Sequence, residues 1–218
     1  MSPREDEERG SAEAPLRQRL LRRGFAFEVV TIAWNVIEGI VAVAAGSAAG
    51  SVALIGFGID SFVETTSAVV VGWRLRTEIR GRSLEDAEAV ERRASRVAGG
   101  LLLLLALYIA VDAGRRLLGM GAEAGSSPVG IGLTILSLAV MPFLGRAKLA
   151  VAAKLGSGAL RADAFETIAC AWLSLTTLTG LVLNALLGWW WADPAAALVL
   201  VPLIVREGLE GWKGEEED

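Results

Sequence analysis

Histidine is absent from all 218 residues, so the commonest transition-metal ligand and the usual proton shuttle near neutral pH are both missing. A single cysteine, Cys170, rules out an intrachain disulfide; lying inside an apolar run, it says nothing about redox compartment. Short segments alternating polar with apolar residues are also lacking, which removes a closed β-barrel as the way this chain could meet lipid. The opening stretch MSPREDEERGSAEAP has none of the apolar core of a signal peptide and reads as a polar, disordered cytoplasmic tail over 1–24. A short acidic cytoplasmic tail is expected over 208–218. No long internal repeat and no separate soluble domain is visible.

What the chain does have is apolar residues in blocks. They make up 53% of it and concentrate at about 25–46, 51–73, 97–118, 128–149, 162–186 and 190–207. A hydrocarbon core of roughly 30 Å takes about 20 mostly apolar helical residues to cross. The expected fold is therefore an all-α membrane protein with six transmembrane helices, forming one domain over 25–207 and sitting in the inner cell membrane as a multi-pass protein. Of 21 lysines and arginines, only Arg115 and Arg116 fall on one side of such a layout, which makes the other side, with both termini, cytoplasmic. Trp189, Trp190 and Trp191 then anchor the outer interface, and Trp73 and Trp212 the inner one. Asp193 and Pro194 read as the N-cap and first position of the sixth helix. Nothing in this pattern suggests nucleic acid.

Charges inside the blocks carry the chemistry. A charged side chain at mid-bilayer costs about 2.5–3.5 kcal/mol on insertion scales. Yet GIDSFVETTSA (58–68) places Asp60 and Glu64 one turn apart on one helical face, flanked by Gly56 and Ser67. The fifth block repeats the pattern. RADAFETIACAWLSLTT sets Asp163, Glu166, Cys170, Ser174 and Thr177 at steps of three, four, four and three, a continuous stripe. Two helices that each offer a ligand-capable pair can build one four-ligand metal site from Asp60, Glu64, Glu166 and Cys170. Arg146 and Lys148 are assigned to the cytoplasmic loop 145–161, which leaves the bundle no buried base to neutralise these acids.

Several residues admit two readings. Cys170 is a metal ligand or a small buried hydrophobe. Asp163 is a helix cap or an entry ligand. Asn35 and Glu38 in the first block handle ions or protons beside the main site, or Glu38 is a hydrogen-bonded packing residue. Asp112 next to Arg115 and Arg116 reads as an interfacial ion pair.

These residues together resemble the cation diffusion facilitator superfamily of divalent-metal exporters. Its first helix typically carries Asn and Glu, as at Asn35 and Glu38. Its second-helix signature opens with Ser-x-Ala-Leu, here Ser51, Ala53 and Leu54, and closes on two acids four apart, here Asp60 and Glu64. Its fifth helix often reads Ala-Asp-x-x-His-x-x-x-Asp, where this chain has Ala162, Asp163, Glu166 and Cys170. ADPAAAL (192–198) is similar to the Asp-containing start of the sixth helix. The departures are Glu for the second-helix Asp, and Glu166 and Cys170 for the fifth-helix His and Asp. Phe57 and Gly56 are further departures from the signature's usual residues. The chain is expected to be a short member without the family's cytoplasmic ferredoxin-like domain.

The resemblance implies a transporter rather than an enzyme, with no prosthetic group and a divalent metal ion as cargo. It also implies a homodimer. Three carboxylates and a thiolate favour Zn²⁺ first, with iron, manganese, cobalt and cadmium behind it. Four such groups around one divalent ion carry excess negative charge, so metal is expected to exchange for protons. One alternative is a CDP-alcohol phosphotransferase, since G56FGIDSFVE64 approaches part of that motif; residues 40–50, however, hold neither the acid nor the arginine that it needs upstream. The other is a proton-coupled exporter of organic cations.

Overall fold

A computed structural model describes residues 3–81, 85–120 and 125–213, and these form six helices and no strand. They are α1 (Pro3–Ala49), α2 (Val52–Ile79), α3 (Glu85–Leu117), α4 (Pro128–Leu155), α5 (Gly158–Leu187) and α6 (Ala192–Lys213). Among the described residues, four helices have stretches long and apolar enough to cross a membrane: Pro15–Ala49 of α1, and α2, α4 and α5 whole. At 1.5 Å per residue, the 28 residues of α2 are about 42 Å long, ample for a tilted crossing. The chain is a multi-pass membrane protein. Helix α1 starts far ahead of the expected span start at residue 25. Residues 214–218 of the expected acidic tail lie outside those described.

The four helices with these stretches form a ring, α1 beside α2, α2 beside α5, α5 beside α4, and α4 beside α1. Helices α3 and α6 pack on each other and cover the α2 and α5 side of that ring. Each ring helix buries one seam, stepping three and four residues alternately. On α1 it is Leu21, Gly24, Glu28, Thr31, Asn35, Glu38 and Ala42; on α2 it is Leu54, Phe57, Ser61, Glu64, Ala68, Val71 and Leu75. On α4 the seam runs Gly130, Thr134, Ser137, Met141, Leu144, Lys148, Val151 and Leu155, and on α5 Leu160, Asp163, Thr167, Cys170, Ser174, Thr177 and Leu181. A strict 3.5-residue period keeps one face inward only if the helices supercoil left-handedly, the usual sense in membrane bundles. The interior it makes is polar in the middle and apolar at the ends.

Both ring hairpins close with the same dipeptide. Gly50 and Gly156 take positive φ values of 67° and 66°, which lets the preceding helix end in a left-handed residue without a Cβ penalty. Ser51 and Ser157 then cap the next helix, accepting from the amides of Leu54 and Leu160. Small residues also set the helix spacing. A Cβ on Gly58 would lie 2.8 Å from Ala42 Cβ, and one on Gly180 would lie 2.7 Å from Ala196 Cβ. Without a hydrophobic driving force in lipid, such close backbone approach is what holds helices together.

Two sequence readings change here. Asp193 does not cap its own helix. It is fully buried, accepts from the Ser51 hydroxyl, and takes the Val52 amide at 3.0 Å. It thereby satisfies the exposed first turn of α2 and complements that helix's dipole, locking α6 to the α1–α2 turn. The second change is Lys148, which belongs to the α4 seam and is completely buried. The tryptophans sit partly exposed at opposite ends of the bundle as read, with Trp189 and Trp191 stacked at 5.1 Å. Asp112 pairs with Arg116 at 2.9 Å.

Asp193→Ala is expected to destabilise the protein by about 1–3 kcal/mol, because it strands a buried hydroxyl and a buried amide. The check is the temperature at which Cys170 becomes reactive to a thiol-sensitive fluorophore in detergent. Asp193→Asn, which keeps an acceptor, should recover most of the loss.

Candidate metal site in the polar seam

Two hydrogen-bonded nodes occupy the ring interior. The first centres on Glu38, which is fully buried. Ser61 of α2 donates to its Oε2 at 3.0 Å, Ser137 of α4 donates to its Oε1, and Trp34 donates to Oε1 at 3.3 Å. Cys170 Sγ of α5 lies 4.0 Å from Oε2, at the limit for a thiol donor. One carboxyl group thus touches all four ring helices. The sequence left Glu38 open between ion handling and packing. Its geometry is that of a packing hub whose acceptor sites are met by hydroxyl, indole and thiol donors.

The second node centres on Lys148. Its ammonium donates to Glu28 Oε2 at 3.0 Å, to Asp163 Oδ2 at 2.5 Å and to Thr167 Oγ1 at 3.3 Å. Three donors meet three acceptors, so the group has no hydrogen left to offer. This corrects the expectation that the bundle holds no buried base. Asp163 is one arm of this buried ion pair, and the cap of α5 is Ser157 instead. Sequence reasoning could have found Lys148 by extending the three-and-four seam of α4 past Met141 and Leu144 to position 148.

Glu64 lies in the field of both nodes. It is 5% exposed, and neither of its carboxyl oxygens makes a hydrogen bond of normal geometry, although the Thr167 hydroxyl and the Cys170 thiol of α5 both lie against it. Lys148 cannot relieve it, being saturated by Glu28, Asp163 and Thr167. An acid buried this way in a protein interior is costly unless a cation meets it. Asn35 is equally buried, and both of its amide atoms lack partners. The antiparallel register set by the contacts of Glu38 with Ser61 and of Glu28 with Gly72 puts Asn35 level with Glu64.

The remaining site residues fall around Glu64 unevenly. Cys170 is 1% exposed and interacts electrostatically with Glu64, Glu38 and Asp60. Asp60 is 6% exposed and sits one position off the α2 seam. Glu166 is also one position off its seam; Thr167 takes the buried place instead, because steps of three and four from Asp163 both fit a helix. Glu166 is exposed on the side of α5, though in the field of Glu64 and within hydrogen-bonding reach of Ser67 on α2. Asp60 is in the field of Cys170 on α5, and Glu166 in that of Glu64 on α2. Among the described residues, no three acid or thiol side chains converge closely enough to hold one ion as they stand.

Residues 29–212 match the cation efflux transmembrane domain. That covers most of the chain, and the chain belongs to the cation efflux family. It is also 29% identical over 152 residues to an uncharacterised transporter of Synechocystis sp., covering 68% of this chain and 49% of that relative. The chain therefore spans about half the length of the curated relative it matches. The family is one of transporters, so the membrane-enzyme alternative has no footing.

Glu38→Leu is expected to cost on the order of 1–3 kcal/mol, since it removes two interhelical hydrogen bonds and leaves the buried Ser137 hydroxyl without its acceptor. Glu38→Gln should cost clearly less. Thermal unfolding in detergent, followed by tryptophan fluorescence, separates the two.

Proposed function

We propose that this protein carries a divalent transition-metal ion across the membrane, binding it between α2 and α5 through Asp60, Glu64, Glu166 and Cys170. The observation that carries this reading is the buried Glu64 carboxyl group, which has no salt bridge and no hydrogen bond of normal geometry, beside the buried Cys170 thiol of the facing helix, itself in the field of Asp60. A cation is the ligand that such a place lacks. Asn35, level with Glu64 and with both amide atoms unpartnered, offers a neutral oxygen donor for an ion on its way in or out.

The four groups do not yet surround one point, so binding goes with a small closing movement of α5 on α2. Rocking of one helix pair against the other around a fixed site is the general way in which transporters alternate access. The carboxylate and thiolate donor set favours Zn²⁺, with Fe²⁺, Mn²⁺, Co²⁺ and Cd²⁺ as weaker candidates. Since four acidic groups outweigh one divalent charge in a poorly hydrated interior, uptake of metal releases protons and export returns them. The protein works in the inner membrane with both termini cytoplasmic, on the charge asymmetry of its loops, and as a homodimer.

Asp60→Asn should reduce Zn²⁺ flux in reconstituted vesicles to the protein-free background while leaving the detergent melting temperature within a few degrees of wild type. Undiminished flux would remove Asp60 from the mechanism. Calorimetric titration of the purified protein with Zn²⁺, Mn²⁺ and Fe²⁺ at two pH values tests the cargo. Heat that changes with the ionisation enthalpy of the buffer marks proton release, and no binding of any of the three would end the metal reading.

A further inference from the structure

The Lys148 node has a place in the bundle that its stabilising role alone does not account for. It joins α1, α4 and α5 on the arginine-rich side of Glu64 and Cys170, as Asp163 and Thr167 precede Cys170 on α5. Beyond it, toward that same end, the ring interior turns wholly apolar. Leu21 of α1, Leu75 of α2, Val151 of α4 and Leu160 of α5 are all buried in one cluster there, one from each ring helix. Anything passing between that face and Glu64 along the ring interior must part first the apolar cluster and then the ion pairs. The pairs themselves are incompletely met. Glu28 Oε1 and Asp163 Oδ1 are buried with no hydrogen-bond partner, so one ammonium serves two acids that each have an oxygen to spare. A contact of that kind has an alternative arrangement available to it, which a saturated apolar core has not.

We infer that Lys148, with Glu28 and Asp163, is the latch that closes the arginine-rich face of the ring over the Glu64 site. Lys148 acts as a positioning residue: its charge holds α1 and α5 against α4, and it takes no direct part in binding cargo. This rests on the transport reading for what the closed route leads to, but the latch itself is testable without metal. The chain supplies its own reporter, since Cys170 is its one cysteine and lies just behind the latch, 1% exposed.

The experiment applies a membrane-impermeant, cationic methanethiosulfonate to right-side-out and inside-out vesicles in metal-free buffer, with Cys170 modification read by intact mass. Wild type should react slowly from the arginine-rich face. Lys148→Met should react about tenfold faster or more from that face and unchanged from the other, a tenfold shift in the open population. Lys148→Arg, which keeps the charge, should stay within about threefold of wild type. Because Lys148→Met leaves two unpaired buried acids and can fail to fold, the neutral triple variant Glu28→Gln, Lys148→Met, Asp163→Asn is run beside it and should show the same one-sided rise. An unchanged rate in the triple variant, or a rise that is equal from both faces, overturns the latch. Sided labelling in a protein that binds no metal would keep the latch and discard the cargo.

Discussion

Lys148 surrounded by Glu28, Asp163 and Thr167 is the arrangement on which the rest of the polar interior depends. In lipid an ionised side chain must find its partners within the protein, and a lysine with all three hydrogens engaged has found them. It organises the seam by what it excludes as well as by what it holds. With its donors spent on Glu28, Asp163 and Thr167, it has nothing for Glu64 one step further in. The same chemistry that stabilises one end of the ring leaves the next carboxyl group, Glu64, without a salt bridge.

The helices divide the work accordingly. The ring of α1, α2, α4 and α5 carries the polar groups, and its two hairpins are closed by matching Gly-Ser turns at opposite ends of the bundle. Helices α3 and α6 shield the α2–α5 side and are tied in by apolar packing, by small residues, and by Asp193 at the head of α2. The candidate site lies at the α2–α5 pairing, where a polar seam meets two acids placed just off it. Asp60 and Glu166 each lie one position off the buried seam of their helix, and among the described residues the four groups do not converge on one point.

Much of this could be read from residue order alone, and the misreadings have definite causes. Six helices follow from six apolar blocks, since backbone polar groups in hydrocarbon leave few other choices. The pair Asp60 and Glu64 was visible because ionisable residues are costly in an apolar run. Lys148 was misplaced because a base near the end of a block looks the same whether it belongs to a loop or to a buried last turn. Asp193 was taken for a cap of its own helix because Asp before Pro has that local meaning; that it serves α2, 141 residues earlier, no local pattern could say. Glu166 entered the buried stripe because a helix accommodates steps of both three and four, and only neighbouring helices select between Glu166 and Thr167.

The chain's residue order by itself determined the membrane setting, the number of helices, their turns, and which side chains had to be reckoned with as ions in lipid. These are properties of single segments, set by hydrophobic length, left-handed glycines and serine caps. Tertiary structure alone decided which ion meets which: Lys148 to Glu28 and Asp163, Glu38 to three other helices, and Glu64 to no basic group. Pairing across helices depends on rotation and register between segments far apart in the chain, and no single segment fixes either.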